Sequence, residues 1–165
     1  MTLPIDRAAI AALIPHAGAM CLLDGVLAWN RTSIACRASS HRATDNPLAA
    51  DGRLDVVCGV EYAAQAMAVH GGLVGAGCQP GAGYYPGARC QPGAGRRPAA
   101  GYLASLRDVV CSVDRLDRLE GDLLVTAELL IADAGRVIYR FNVTCDDRPV
   151  LSGRAAVVID AGTAA

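Results

Sequence analysis

The sequence predicts an α+β domain in which a long antiparallel sheet curls around one apolar helix. Three observations carry this expectation. Strand-like segments come in runs, two near the start and four at the end, and runs of this kind build antiparallel sheets. A single long helix, from Asp55 to about Leu73, interrupts them. That helix holds Ala63, Ala64, Ala66 and Ala68, so it is slim enough for other elements to wrap closely around it.

The elements follow in order. Pro4 to Ile14 reads as a short helix capped by Asp6, with Ile5, Ala9, Ile10 and Leu13 on one face. Pro15 ends it, and Pro15-His16-Ala17-Gly18-Ala19 is a turn. Met20 to Trp29 and Thr32 to Ser39 form a hairpin about Asn30-Arg31. His41 to Leu54 is polar and punctuated by Asp45-Asn46-Pro47 and Asp51-Gly52. Beyond the long helix, Gly77–Ala88 and Arg89–Ala100 are nearly the same Pro/Gly-rich dodecapeptide twice. Two copies are too few for a stacked solenoid. An insert over residues 75–100 is therefore expected to be an exposed, mobile connector inside a single domain spanning 1–165. Four strands close the chain: Tyr102 to Leu116, Asp122 to Ala132, Arg136 to Cys145 and Val150 to Ile159. A sheet curled around one helix in this way is the hotdog arrangement, and its open edge invites pairing with a second copy.

Composition narrows the function classes. At 165 residues, 53% hydrophobic and 19% charged, the chain describes one globular domain with a sizeable core. A net charge of -1 gives no electrostatic reason to expect nucleic acid or an anionic membrane as partner. The first residues lack a basic stretch followed by a sustained apolar one, and no segment approaches a membrane span of roughly 18 apolar residues. A cytoplasmic protein is expected. The seven cysteines are scattered without a CxxC pair, which predicts free thiols and no metal centre. Cys78 and Cys90 occupy equivalent places in the two repeats, so duplication explains their spacing.

Glu61 is the residue that suggests chemistry. It lies in Cys58-Gly59-Val60-Glu61-Tyr62-Ala63-Ala64-Gln65-Ala66, near the start of the alanine-rich helix. A carboxylate buried in an apolar segment needs a partner or a proton. Gln65 stands one turn on and shares its face. The plainer alternative is a first-turn glutamate facing the helix dipole. Three histidines are available. His70 is nine residues beyond Glu61, half a revolution away, and reads as structural. His16 and His41 each occupy a loop that could meet Glu61.

These residues carry a resemblance. Leu13-Ile14-Pro15-His16-Ala17-Gly18-Ala19-Met20-Cys21-Leu22-Leu23-Asp24-Gly25-Val26 resembles the "LPHRxPxLLLDRV" opening of the FabA/FabZ-type hotdog 3-hydroxyacyl-acyl-carrier-protein dehydratases. Gly59-Val60-Glu61-Tyr62-Ala63-Ala64-Gln65-Ala66 is similar to that family's "(D/E)xMxQ" motif, which carries its catalytic carboxylate. With Asp45-Asn46-Pro47, the wording is most similar to the aryl-polyene, ApeP-like branch. The typical family histidine, in "GHFPGxP", stands fourteen residues before the carboxylate. Here that count reaches Pro47, beside Asn46, so the histidine is missing. Either His16 (or, less favoured, His41) takes the role of base, or the chain is an inactive partner subunit.

What the resemblance implies is removal of water from a 3-hydroxyacyl thioester in fatty acid or polyketide biosynthesis. His16 would take a proton from C2, and Glu61, its pKa raised by apolar surroundings, would protonate the leaving hydroxyl. Backbone N–H groups from Cys58 to Val60 would polarise the thioester carbonyl, and Gly59 would let the chain approach substrate. Asn46, Pro47 and Gln65 complete the expected substrate contacts, and the acyl tail would run along Ala63 and Ala64. No cofactor is expected. The expected partners are an acyl carrier protein bearing phosphopantetheine and a second hotdog chain, identical or different. A hotdog thioesterase is the nearest enzymatic rival.

Overall fold

A computed structural model describes residues 5–77 and 100–160. The two repeats, with Cys78 and Cys90, lie almost wholly outside the described residues, and so does the connector expected there. Strand β1 (Ile5–Asp6) leads into helix α1 (Arg7–Leu13). The Asp6 carboxylate accepts the Ala9 N–H at 2.9 Å, the N-cap its position suggested. Strands β2 (Gly25–Trp29) and β3 (Ser33–Ala38) form the hairpin. The Asn30 side chain closes it by accepting the N–H groups of Thr32 and Ser33, each at 2.8 Å. A 3-10 turn (Val56–Cys58) precedes helix α2 (Gly59–Gly75). Strands β4 (Ala100–Cys111), β5 (Leu123–Asp133), β6 (Arg136–Cys145) and β7 (Arg148–Asp160) complete an antiparallel sheet of order β1-β2-β3-β5-β6-β7-β4.

Helix α2 packs on β3, β5 and β6, with α1 against its other side. Tyr62, Ala63, Ala66, Met67, Val69 and Leu73 are buried against core residues that include Val125, Phe141 and Leu151. Small residues permit this closeness. A Cβ placed on Gly59 would stand 2.9 Å from Leu151 Cδ2. The hotdog wrap expected from element order is present.

Several boundaries differ from expectation: Ile5 and Asp6, read as part of the first helix, pair with Val26 and Gly25 as a strand, and the strand expected to run to Leu116 ends at Cys111. The strand predicted from Met20 begins only at Gly25; Gly18–Met20 is a 3-10 turn and the next four residues are irregular. The physical reason is that side chains, not a neighbouring strand, take up the polar groups of Met20 and Leu22. Gln65 bonds the Met20 carbonyl and the Leu22 N–H, and Ser40 bonds the Leu22 carbonyl.

Strand β4 forms the sheet's far edge and, among the described residues, has no helix packed over it. Cross-strand partners share a face, so Leu103 (opposite Val157), Leu106 (opposite Ala155) and Cys111 (opposite Leu151) lie on the inner side. Val109 joins them, being close to Gly153. Register shifts at Leu103/Ser105 and Arg107/Val110 bring these residues onto one face, and Asp108 takes the left-handed conformation (φ 53°) at the second. Leu103, Leu106 and Val109 are exposed despite facing inward. No helix among the described residues is long and apolar enough to cross a membrane.

Candidate active site

His16 and Glu61 meet. Pro15 stops α1 from continuing through His16, and Gly18, with φ 59°, turns the chain beyond it. Glu61 stands in the first turn of α2. His16 Nε2 lies 3.1 Å from Glu61 Oε1, and each side chain keeps 31% of its surface exposed. Glu61 is therefore not sealed in the apolar core as its sequence surroundings suggested. It is held at the core's margin by partners. Gln65, buried one turn on, donates from Nε2 to Glu61 Oε1 at 3.0 Å and to the Met20 carbonyl at 2.7 Å. Its Oε1 accepts the Leu22 N–H at 2.9 Å. One amide thus ties the carboxylate to the segment that follows His16.

The contact selects a tautomer for a neutral imidazole. With Nε2–H donated to the carboxylate, the lone pair of a neutral ring lies on Nδ1. Nδ1 is shielded and has no hydrogen-bond partner among the described residues. In that tautomer Nδ1 is the ring nitrogen with a lone pair to accept a proton.

The other histidines are placed elsewhere. His41 is buried, its Nε2 beside the Leu119 carbonyl at 3.2 Å, and burial pushes its pKa below the ordinary value. It makes no hydrogen bond to Glu61, so the first choice of His16 has the geometry and His41 does not. His70 is buried as its helical phase implied. Its Nδ1 faces Tyr139 Oη at 2.8 Å, its Nε2 faces the Asn30 carbonyl at 2.9 Å, and burial lowers its pKa too.

The predicted substrate contacts are spread around this pair. Asn46 turns inward: its Nδ2 donates to the Ser40 carbonyl at 2.8 Å and Tyr62 Oη at 3.0 Å, and its Oδ1 accepts the Leu48 N–H at 2.9 Å. Its amide is committed to the fold, whereas Pro47 is exposed. Cys58 is half-buried, and burial raises its thiol pKa. Two of the three expected oxyanion donors are already engaged. The Cys58 N–H donates to the Asp55 carbonyl at 3.0 Å, and the Gly59 N–H to those of Val56 and Val57. The closeness that Gly59 allows is to Leu151, not to an open cleft. Ala63 is fully buried and Ala64 half-buried. A cleft of about 420 Å³ opens between the start of α2 and the end of β4, lined by Arg53, Asp55, Val57 and Cys111 among others; neither His16 nor Glu61 lines it. No cluster of three or more metal-ligating side chains occurs among the described residues.

A family model described as ApeP-like, ApeP dehydratase, matches residues 8–163, a span that contains His16, Glu61 and the duplicated insert. The chain belongs to the ApeP-like dehydratase family. Among solved structures, this ApeP-like chain is similar to the dehydratase heterocomplex ApeI:P from Xenorhabdus doucetiae. The TM-score is 0.70 at 21% identity, covering 93% of this chain and 92% of that one. It is also similar to AziG from S. sahachiroi, with TM-score 0.53, 15% identity, and 89% and 97% of the two chains covered. A third neighbour is zebra fish thioesterase superfamily member 2, with TM-score 0.51, 12% identity, and coverage of 93% and 95%. These likenesses establish a shared fold. No curated protein matches the chain.

Sequence inspection missed Ser40 and the role of Tyr62. Ser40 Oγ donates to the Leu22 carbonyl at 2.7 Å and lies 2.9 Å from Tyr62 Oη. Tyr62 stood in the quoted motif beside Glu61, but nothing in the motif names a partner 22 residues upstream.

Proposed function

We propose that this chain removes water from a 3-hydroxyacyl thioester, with His16 as base and Glu61 as acid. The observation that carries this is the 3.1 Å contact between His16 Nε2 and Glu61 Oε1 in a chain that lacks the usual loop histidine. Nδ1, where the lone pair of the neutral ring lies, takes the C2 proton. The Nε2 proton passes to Glu61 Oε1. The protonated carboxyl then gives its proton to the departing hydroxyl, so that the C2–H and C3–O bonds break, a C2–C3 double bond forms and water leaves. Gln65 holds the carboxylate for both transfers. The substrate arrives on the phosphopantetheine arm of an acyl carrier protein, and no cofactor takes part. Cys58 and Pro47 contribute to substrate binding through shape rather than through free polar groups.

The inner face of β4 favours a second hotdog chain as partner, because Leu103, Leu106 and Val109 are exposed on it and no described element covers them. Such a chain could be an active dehydratase that this one supports. The test is mass-spectrometric detection of water loss from a 3-hydroxyacyl carrier protein by the purified chain. Turnover that falls at least about 100-fold in Glu61→Gln and in His16→Ala supports the assignment. Undiminished turnover in either variant would sink it, release of free acid would mark a thioesterase, and activity only with a hotdog partner would mark a supporting subunit.

A further inference from the structure

The segment that carries His16 into the site has little regular structure, yet its backbone is held at three points by side chains. Two belong to Gln65, at the Met20 carbonyl and the Leu22 N–H. The third is Ser40, whose hydroxyl lies 2.7 Å from the Leu22 carbonyl. A serine hydroxyl has one proton, and Ser40 donates it to that carbonyl. The 2.9 Å contact between Ser40 Oγ and Tyr62 Oη is then made with the Tyr62 proton. Tyr62 Oη in turn accepts from Asn46 Nδ2 at 3.0 Å. All donors run one way, from Asn46 through Tyr62 and Ser40 to Leu22. Tyr62 and Gln65 sit on the same helix as Glu61, so α2 grips the segment directly through Gln65 and indirectly through Tyr62 and Ser40. Tyr62 and Leu22 are fully buried, Asn46 nearly so and Ser40 half-buried, so water's access to these bonds is restricted.

We propose that Asn46, Tyr62 and Ser40 are positioning residues that fix the Met20–Leu22 segment and so hold His16 against Glu61. This rests on the role proposed for His16. It gives Asn46 a task at the place where the usual histidine is missing: it anchors the base supplied by another loop. A small displacement of a reacting group is costly to turnover and much less so to binding. Loss of the relay therefore lowers kcat and leaves KM little changed.

The test uses the full chain with any hotdog partner it needs, and compares Tyr62→Phe, Ser40→Ala and Ser40→Thr. Tyr62→Phe keeps the ring volume, and Ser40→Thr keeps the hydroxyl. Expected are kcat losses of about 10- to 100-fold in Tyr62→Phe and Ser40→Ala, with recovery in Ser40→Thr. A second readout needs no activity: the NMR signal of the His16 imidazole, assigned by its loss in His16→Ala. It shifts in Ser40→Ala and in Tyr62→Phe, while the His70 signal stays in place. Wild-type kcat together with an unmoved His16 signal in Tyr62→Phe would overturn the proposal. So would losses that appear equally in KM and in the unfolding midpoint, since those mark a merely structural role. If wild-type protein shows no water loss, the catalytic assignment has failed, and the His16 signal alone decides whether the relay positions that ring.

Discussion

Buried imidazoles give this chain a pH dependence that is separate from its site. His70 and His41 both have pKa values lowered, chiefly by burial, from an ordinary 6.5. The unfolded chain therefore binds more protons just below that value than the folded one does. Stability is complete above about pH 6.5 and falls as the pH drops through that value toward the lower folded ones. Urea unfolding at about pH 7.5 and about pH 5.5 should show the lower midpoint at the acid pH, with a smaller difference in His70→Gln. A midpoint that rises on acidification would contradict the assignment of a neutral His70. At this scale Glu61, Gln65 and His16 were legible because two short motifs name them. Ser40 was not, because its importance arises only when β3, the segment before β2 and α2 converge.

Helix α2 was legible because its length and alanine content leave few other uses for it. The last four strands were found within a few residues, since turn residues separate them. The inner face of β4 was hidden. Leu103, Leu106 and Val109 are spaced by three, a helical signature, and two register shifts convert that spacing to one face of a strand. Strand β7 carries a companion feature in Gly153, where a Cβ would come within 2.9 Å of Phe141 Cζ and 3.2 Å of Val109 Cγ2. The sole phenylalanine of the chain occupies the space that a side chain there would need. Gly153→Val should cost about 1–3 kcal/mol through overpacking. Thermal or urea unfolding measures it, and an unchanged midpoint would mean that Phe141 can move aside freely.

The fold of the whole molecule was legible as a sheet around a helix, but the incompleteness of its cover was not. Residues that face inward are ordinarily buried, and those of β4 are exposed because α2 packs chiefly on β3, β5 and β6. A second chain with the proposed complementary edge would close that gap. Leu106→Glu should then leave the far-UV spectrum intact and shift the light-scattering mass, or the capture of a hotdog partner, toward the free chain. Retention of the assembly would place the interface elsewhere. The two register shifts have one more consequence. A flat, apolar edge strand can template the addition of strand after strand without limit. Kinked twice, β4 is a poor template for straight strands, so the irregularities that aim its leucines also guard against fibril growth.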